Sequence, residues 1–194
     1  MPAPAASHRD RYHPLRIALH WLTLLLVIAV FACIELRELY PRGSDPREAL
    51  KAWHFTLGLS VLAITLVRLA ARRASPAPPI VPSPPRWQHL AAGAVHLLLY
   101  AWLLAMPLLG WLLLSASGKA IPFWGLALPG LVAADPQLAD RLKDLHETLA
   151  NAGYLLVGIH AAAALAHHVL FRDDTLRRML PGGGRGRGRT EDPG

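Results

Sequence analysis

Four long stretches of apolar residues constrain this chain more than any other feature of its sequence. They cover residues 15–36, 50–71, 89–114 and 145–171. Each is long enough to cross about 30 Å of hydrocarbon, which takes roughly 20 helical residues. A segment in lipid must satisfy its backbone hydrogen bonds internally, so these stretches should be helices rather than open strands. We therefore predict an all-α integral membrane protein, a four-helix bundle over residues 15–180.

The second stretch is the least regular, because Lys51 and Arg68 interrupt it near its two ends. Both side chains are long enough to reach a membrane interface, so residues 50–71 remain a predicted span. Residues 75–86 contain six prolines and predict an extended connector between the second and third helices. Residues 1–14 are interpreted as a cytoplasmic N-terminal extension, and residues 181–194 as a disordered basic tail.

Basic residues predict how the chain is oriented. The formal charge is +7, but thirteen of the twenty Lys and Arg residues fall at the N-terminus, between Arg68 and Arg86, or in the C-terminal tail. The positive-inside rule then places both termini in the cytoplasm. This distribution explains the charge without nucleic acid, and the Arg-Gly tail lies within reach of anionic lipid. We predict a multi-pass membrane protein.

Histidines carry the chemistry, since ionisable groups inside a membrane are costly and need a partner or a function. The single Cys33 excludes an internal disulfide and a Cys-ligated iron–sulfur cluster. His146 and His160 are fourteen residues apart on the fourth helix, so they share a face and lie roughly 21 Å apart. Small residues lie between them on that face, which lets a flat macrocycle approach the backbone. The stripe reads His146, Ala150, Gly153, Val157, His160, Ala164 and His167.

A haem with two histidine ligands takes one from each of two helices. With both termini inside, His54 matches the depth of His146 near the outer face, and Gly58 one turn later gives clearance. His20 lies near the inner face, where depth alone leaves His160 and His167 open as its partner. Spacing favours His160, because His167 would separate the two centres by roughly 31 Å. Taken singly, each of these histidines is more often a packed or interfacial residue.

Three motifs resemble the bacterial cytochrome b561 family: ALHWLTLLLVIAV, VRLAARR before a Pro-rich linker, and LHETLANAGYLLVGIHAAAALAHH. The likeness runs over residues 12–181 and is greatest to stand-alone members. It implies two haems b with axial ligands His20, His54, His146 and His160, which resolves the choice between His160 and His167. It also implies a quinone site near the inner haem, and a location in the bacterial inner membrane.

The resemblance further implies that superoxide is oxidised to dioxygen at the periplasmic face, and that its electrons pass through both haems to ubiquinone. His167 or His168 is a candidate quinone contact and proton relay, and His96 is a weaker third candidate. Lys119, Arg141 and Lys143 are candidates for guiding the superoxide anion. The expected partners are superoxide, quinone and the lipid bilayer, with no nucleic acid and no obligatory protein partner.

Two alternatives remain at this stage. The same four-helix plan suits a haem-bearing anchor subunit that passes electrons from a partner dehydrogenase or hydrogenase to quinone. A His-rich metal carrier could use His160, His167 and His168, although few carboxylates lie in the predicted spans to bind a cation.

Overall fold

A computed structural model describes residues 11–74, 79–80 and 83–181. It contains α1 (Pro14–Leu36), α2 (Asp45–Ala74), α3 (Arg86–Ala116) and α4 (Pro136–Val169). Each of these four helices is long and apolar enough to cross a membrane. The predicted fold class is therefore confirmed, and the helices contain or overlap the four predicted spans.

Each helix is antiparallel to the one before it. Arg68, near the end of α2, contacts His20, near the start of α1, and Trp102 of α3 bonds to Leu149 of α4. The bundle therefore has a termini side, where α1 begins and α4 ends, and a loop side at the opposite end. Side-chain packing joins α1 to α2, α2 to α3 and α3 to α4. A central apolar cluster of Val27, Val61 and Leu103 joins the first three helices.

The loop-side corner between α1 and α2 is closed by Arg47, whose side chain is almost fully buried. It donates to the carbonyls of Arg37 and Tyr40, both at 2.9 Å, and pairs with Glu38 at 3.0 Å. A short 3-10 turn, Arg37–Leu39, presents these groups. The guanidinium thus satisfies carbonyls that the end of a helix would otherwise leave without partners.

A β-hairpin covers the loop side between α3 and α4. Strands β1 (Ile121–Phe123) and β2 (Leu126–Leu128) are antiparallel, and Trp124 and Gly125 form the turn with φ of 49° and 83°. Positive φ at both central residues is typical of two-residue hairpins. Ile121 packs on Leu59 and Leu114 in a second apolar cluster.

The fourth helix begins at Pro136, nine residues before the predicted span, whose limit was set by hydropathy. Proline suits the first helical turn because it lacks the N–H that would have no partner there. Asp135 precedes it and caps the helix, accepting from the backbone N–H groups of Gln137 and Leu138. The amphipathic first turns of α4 therefore extend beyond the apolar stretch.

Segment Asp173–Leu180, which we call the strap, folds back under α1 on the termini side. Trp21 Nε1 donates to Met179 O at 2.6 Å, and Arg11 donates to Leu180 O. Arg178 donates to Pro79 O and pairs with Asp174 at 2.5 Å. Three predicted segments lie wholly or partly outside the described residues: positions 1–10 of the N-terminal extension, 75–78 and 81–82 of the connector, and 182–194 of the tail.

Candidate functional site

On the loop side, His54 of α2 faces His146 of α4. Their ring centroids are 6.4 Å apart, and the rings are inclined by 72°. His54 Nδ1 lies 3.0 Å from Val30 O. A carbonyl only accepts, so Nδ1 carries the hydrogen and Nε2 keeps a free lone pair. This bond to α1 fixes the ring in an orientation that suits a metal ligand.

On the termini side, His20 of α1 faces His160 of α4, with ring centroids 6.3 Å apart and the rings inclined by 63°. The structure therefore brings together both histidine pairs that depth and spacing indicated. His146 and His160 remain on one helix, so the two pairs are separated along the bundle by roughly 21 Å.

Both separations fit a single metal ion between two imidazoles. A metal–imidazole bond is about 2 Å long, and each ring centre lies about 1 Å beyond its nitrogen, so two ligands of one metal have centroids roughly 6 Å apart. The described residues thus fit a haem iron at each pair.

A cavity of about 610 Å³ extends from His54 and His146 to charged side chains on the loop side. Its volume lies within the usual range for cofactor pockets. Gly58 lines it, and apart from the neighbouring backbone of its own helix no described atom lies within 4 Å of the position that a Cβ would take there. Gly110 of α3 also lines it, where a Cβ would lie 3.4 Å from His146 Cε1. Gly110 was not predicted from the sequence, because no histidine lies on α3 at that depth.

Gly153 does not leave the open space that the stripe on α4 suggested. The indole of Trp102 fills it, with Cε2 only 2.5 Å from the position of a Cβ at residue 153. Trp102 Nε1 donates to Leu149 O at 2.8 Å, which holds the indole in place. Gly153 therefore accommodates a side chain of α3 in this structure, and its assignment as a macrocycle contact stays a prediction.

Two further side chains join the termini-side pair. The ring of His96 of α3 lies 5.3 Å from the ring of His160, and its Nδ1 lies 2.7 Å from Ala92 O. Arg68 Nη2 lies 3.2 Å from His20 Nδ1. Arg68 was expected to extend to a membrane interface, but it turns towards His20 and is half-buried. The contact was not predictable from α2 alone, because its partner is on α1.

The basic residues proposed for superoxide guidance separate into two groups. Lys119 and Lys143 line the loop-side cavity, together with Arg37 and Lys51, whereas Arg141 is not among its lining residues. Lys143 pairs with Glu147 at 3.1 Å, and Lys51 pairs with Glu48 at 2.6 Å. Among the described residues, Lys119 forms no such ion pair.

His167 lies against the strap, where its Nδ1 is 2.5 Å from Asp173 Oδ2. Burial tends to raise the pKa of Asp173, but hydrogen bonds from the Thr175 N–H and the His167 ring hold this pKa below its ordinary value. The carboxylate therefore stays ionised and favours a hydrogen on Nδ1 of His167. The structure gives His168 no comparable carboxylate within the part of the chain that it describes.

The fold and the two histidine pairs define a class: four-helix membrane proteins built to hold haem between their helices. Residues 11–182 match the family model for prokaryotic cytochrome b561, and the chain belongs to that family. It is 40% identical over 172 residues to cytochrome b561 homolog 1 of Escherichia coli K12, covering 89% of this chain and 98% of the relative. It is 39% identical to the probable superoxide oxidase CybB of Yersinia pestis, covering 88% and 96%, and 33% identical to E. coli cytochrome b561 homolog 2, covering 88% and 92%.

Family membership confirms the resemblance carried by the three sequence motifs. The protein is a multi-pass inner-membrane protein that binds b-type haem and transfers electrons. In the described ranges, no three His, Cys, Asp or Glu side chains are grouped to hold a bare metal ion, so the metal carrier gains no support.

Proposed function

We propose that this protein oxidises superoxide on its loop side and delivers the electrons to ubiquinone on its termini side. The observation that carries the proposal is the presence of two facing histidine pairs at different depths, one of which opens through a cavity to the loop side. The name of the Yersinia pestis relative, a probable superoxide oxidase, agrees with this function.

Two haems b are proposed, one between His54 and His146 and the other between His20 and His160. When bound, haem supplies an iron that accepts and releases one electron at a time. The protein residues set the positions. Val30 orients His54 through its carbonyl, and α4 holds His146 and His160 at a separation that permits rapid electron exchange.

Basic side chains support an anionic substrate at the loop-side cavity. Lys119 is the strongest candidate for guiding superoxide, because it lines the cavity without an ion-paired carboxylate in the described chain. The attraction of Lys143 is partly neutralised by Glu147. Arg141, outside the lining, is left with at most a long-range contribution. A local excess of positive charge raises the encounter rate of an anion.

In the proposed reaction, superoxide is oxidised on the loop side and ubiquinone is reduced on the termini side. Two superoxide anions each lose one electron and become two dioxygen molecules. Ubiquinone takes these two electrons and two protons and becomes ubiquinol. We propose that His167, held by Asp173, passes protons to the quinone, with His168 and His96 as weaker candidates. The positive-inside rule supports cytoplasmic termini, so these protons come from the cytoplasm.

The experiment is to expose the purified protein to an enzymatic superoxide flux and record its visible spectrum, with a dismutase control. Growth of the reduced b-type α-band that dismutase abolishes, followed by reoxidation with added ubiquinone, is the expected result. Reduction by dithionite alone, with none by superoxide, would exclude superoxide as donor. In that case the anchor-subunit alternative, with a protein donor, takes precedence.

A further inference from the structure

Two arginines of α2 converge on one tyrosine of α3 beside the termini-side histidine pair. The guanidinium carbons of Arg68 and Arg72 lie 5.5 and 5.6 Å from the ring centre of Tyr100. Arg68 also contacts His20 Nδ1 at 3.2 Å. Arg72 is one turn nearer the termini side. The two cations therefore lie along one edge of the site that His20 and His160 form.

Neither arginine has a carboxylate partner among the described residues. This distinguishes them from the two buried arginines elsewhere: Arg47 pairs with Glu38 at 3.0 Å, and Arg178 pairs with Asp174 at 2.5 Å. A half-buried cation at the level of a membrane span is costly unless an anion compensates it. Arg68 therefore lacks the carboxylate partner that Arg47 and Arg178 have.

The contact with His20 cannot persist unchanged if His20 binds iron. Arginine only donates, so Nδ1 of His20 is the acceptor, and the hydrogen of the neutral ring is on Nε2. Coordination through Nε2 moves that hydrogen to Nδ1, where it would face the N–H groups of Arg68. Arg68 would then need another hydrogen-bond acceptor. That acceptor would have to lie beside Tyr100, where Arg72 is also found.

We propose that Arg68, assisted by Arg72, binds the carboxylates of the haem held by His20 and His160. The inference rests on the proposed haem ligation. A b-type haem carries two propionate carboxylates, and guanidinium groups bind carboxylates in a paired, directional geometry. Arg68 is a cofactor-binding residue that exchanges its contact with His20 for a propionate when haem enters. A lipid phosphate offers similar anionic oxygens, so the experiment separates the two sources.

The test titrates the full chain, produced under haem limitation, with haem b and with its dimethyl ester, and follows the Soret band. A His54→Ala background removes the loop-side site, so only the termini-side dissociation constant is measured. We expect the ester to bind roughly tenfold more weakly than haem, as for loss of a charge-assisted hydrogen bond. Arg68→Gln should weaken haem binding by a similar factor and abolish the discrimination. Arg68→Lys should retain part of the discrimination between haem and its ester.

Arg73→Gln is the matched control: Arg72 and Arg73 are both exposed in the last turn of α2, but among the described residues only Arg68 and Arg72 lie against the Tyr100 ring. Arg73→Gln should therefore behave like the background. Equal affinity for haem and ester in the Arg68-containing background would overturn the proposal. A second result would also overturn it: haem affinity that depends on Arg68 in phosphatidylglycerol nanodiscs but not in phosphatidylcholine alone, and that is the same for haem and its ester. The anion bound by Arg68 would then be a lipid phosphate. If neither the His54→Ala background nor the unsubstituted chain shows a bis-histidine haem spectrum, the proposed haem ligation is overturned as well.

Discussion

The indole of Trp102 lies against Gly153, in the space that any larger residue at position 153 would need. Its Nε1 donates to Leu149 O one turn earlier on α4. This contact brings α3 and α4 together midway between the two histidines of α4. The small residue in the stripe therefore sets the position of the helix that carries one histidine of each pair.

Gly153→Ala should destabilise the protein, because the new methyl group would overlap the Trp102 ring. Overpacking of this kind costs about 1–3 kcal/mol. Thermal unfolding in detergent, followed by circular dichroism, should show a lower midpoint. Gly158→Ala is the matched control, since apart from the neighbouring backbone of α4 no described atom lies within 4 Å of its Cβ position. Equal midpoints for the two variants would contradict the packing argument.

Single alanine substitutions should separate the two proposed haem sites. We expect His54→Ala or His146→Ala to lower the haem content by about one per chain, and His20→Ala or His160→Ala to do the same for the other site. Each of these substitutions removes one of the two axial ligands proposed for a haem. The haem-to-protein ratio from a pyridine haemochrome assay measures this.

His89→Ala is the control for these variants, since His89 is exposed near the start of α3. His96→Ala is the decisive comparison, because His96 is the nearer ring to His160. It should keep both haems. Loss of a haem in His96→Ala and retention in His20→Ala would show that the assignment on the termini side is wrong.

Charge reversal at the cavity should slow reduction by superoxide. Lys119→Glu places an anion in the cavity lining, and we expect a rate roughly tenfold lower at low salt, because electrostatic steering contributes factors of this order. The difference should shrink at high ionic strength. Arg141→Glu makes the same change in charge outside the lining and should have a smaller effect. Equal slowing by both variants would indicate a general effect of net charge.

Replacement of His167 should affect the quinone step alone. We expect His167→Gln to slow haem reoxidation by ubiquinone about tenfold or more, as for loss of a positioned proton donor, and to leave reduction by superoxide unchanged. His168→Gln, the adjacent residue, serves as the control. Stopped-flow spectroscopy measures both half-reactions. If His168→Gln has the larger effect, the relay is assigned to the wrong histidine.

The contact between Asp173 and His167 should persist throughout the neutral range. Because the folded-state pKa of Asp173 lies below its ordinary value, its contribution to stability is present above the ordinary Asp pKa of about 3.9 and is lost as the pH falls through the lower folded-state pKa. Asp173→Asn should remove this acid-dependent loss. Limited proteolysis after the end of α4, compared at pH 5 and below pH 3, measures whether the strap stays docked. Release at pH 5 would contradict the direction of the shift.

The sequence by itself determined the fold class, since four apolar stretches in lipid leave few alternatives to helices. It also predicted which histidines share a face of α4, because the helical repeat converts spacing into direction and distance. Boundaries were less predictable at Pro136, where polar first turns extend the helix beyond its apolar stretch. These are local properties, and each depends on neighbouring residues along the chain.

Tertiary structure alone decided what lies beside each of those residues. Gly153 accommodates Trp102, Arg68 contacts His20, and His167 pairs with Asp173 of the strap. The first two contacts join different helices, and the third depends on how the chain folds back after α4. Helical spacing predicts which way a side chain points, but the residue that it meets depends on how the helices pack and rotate about their axes.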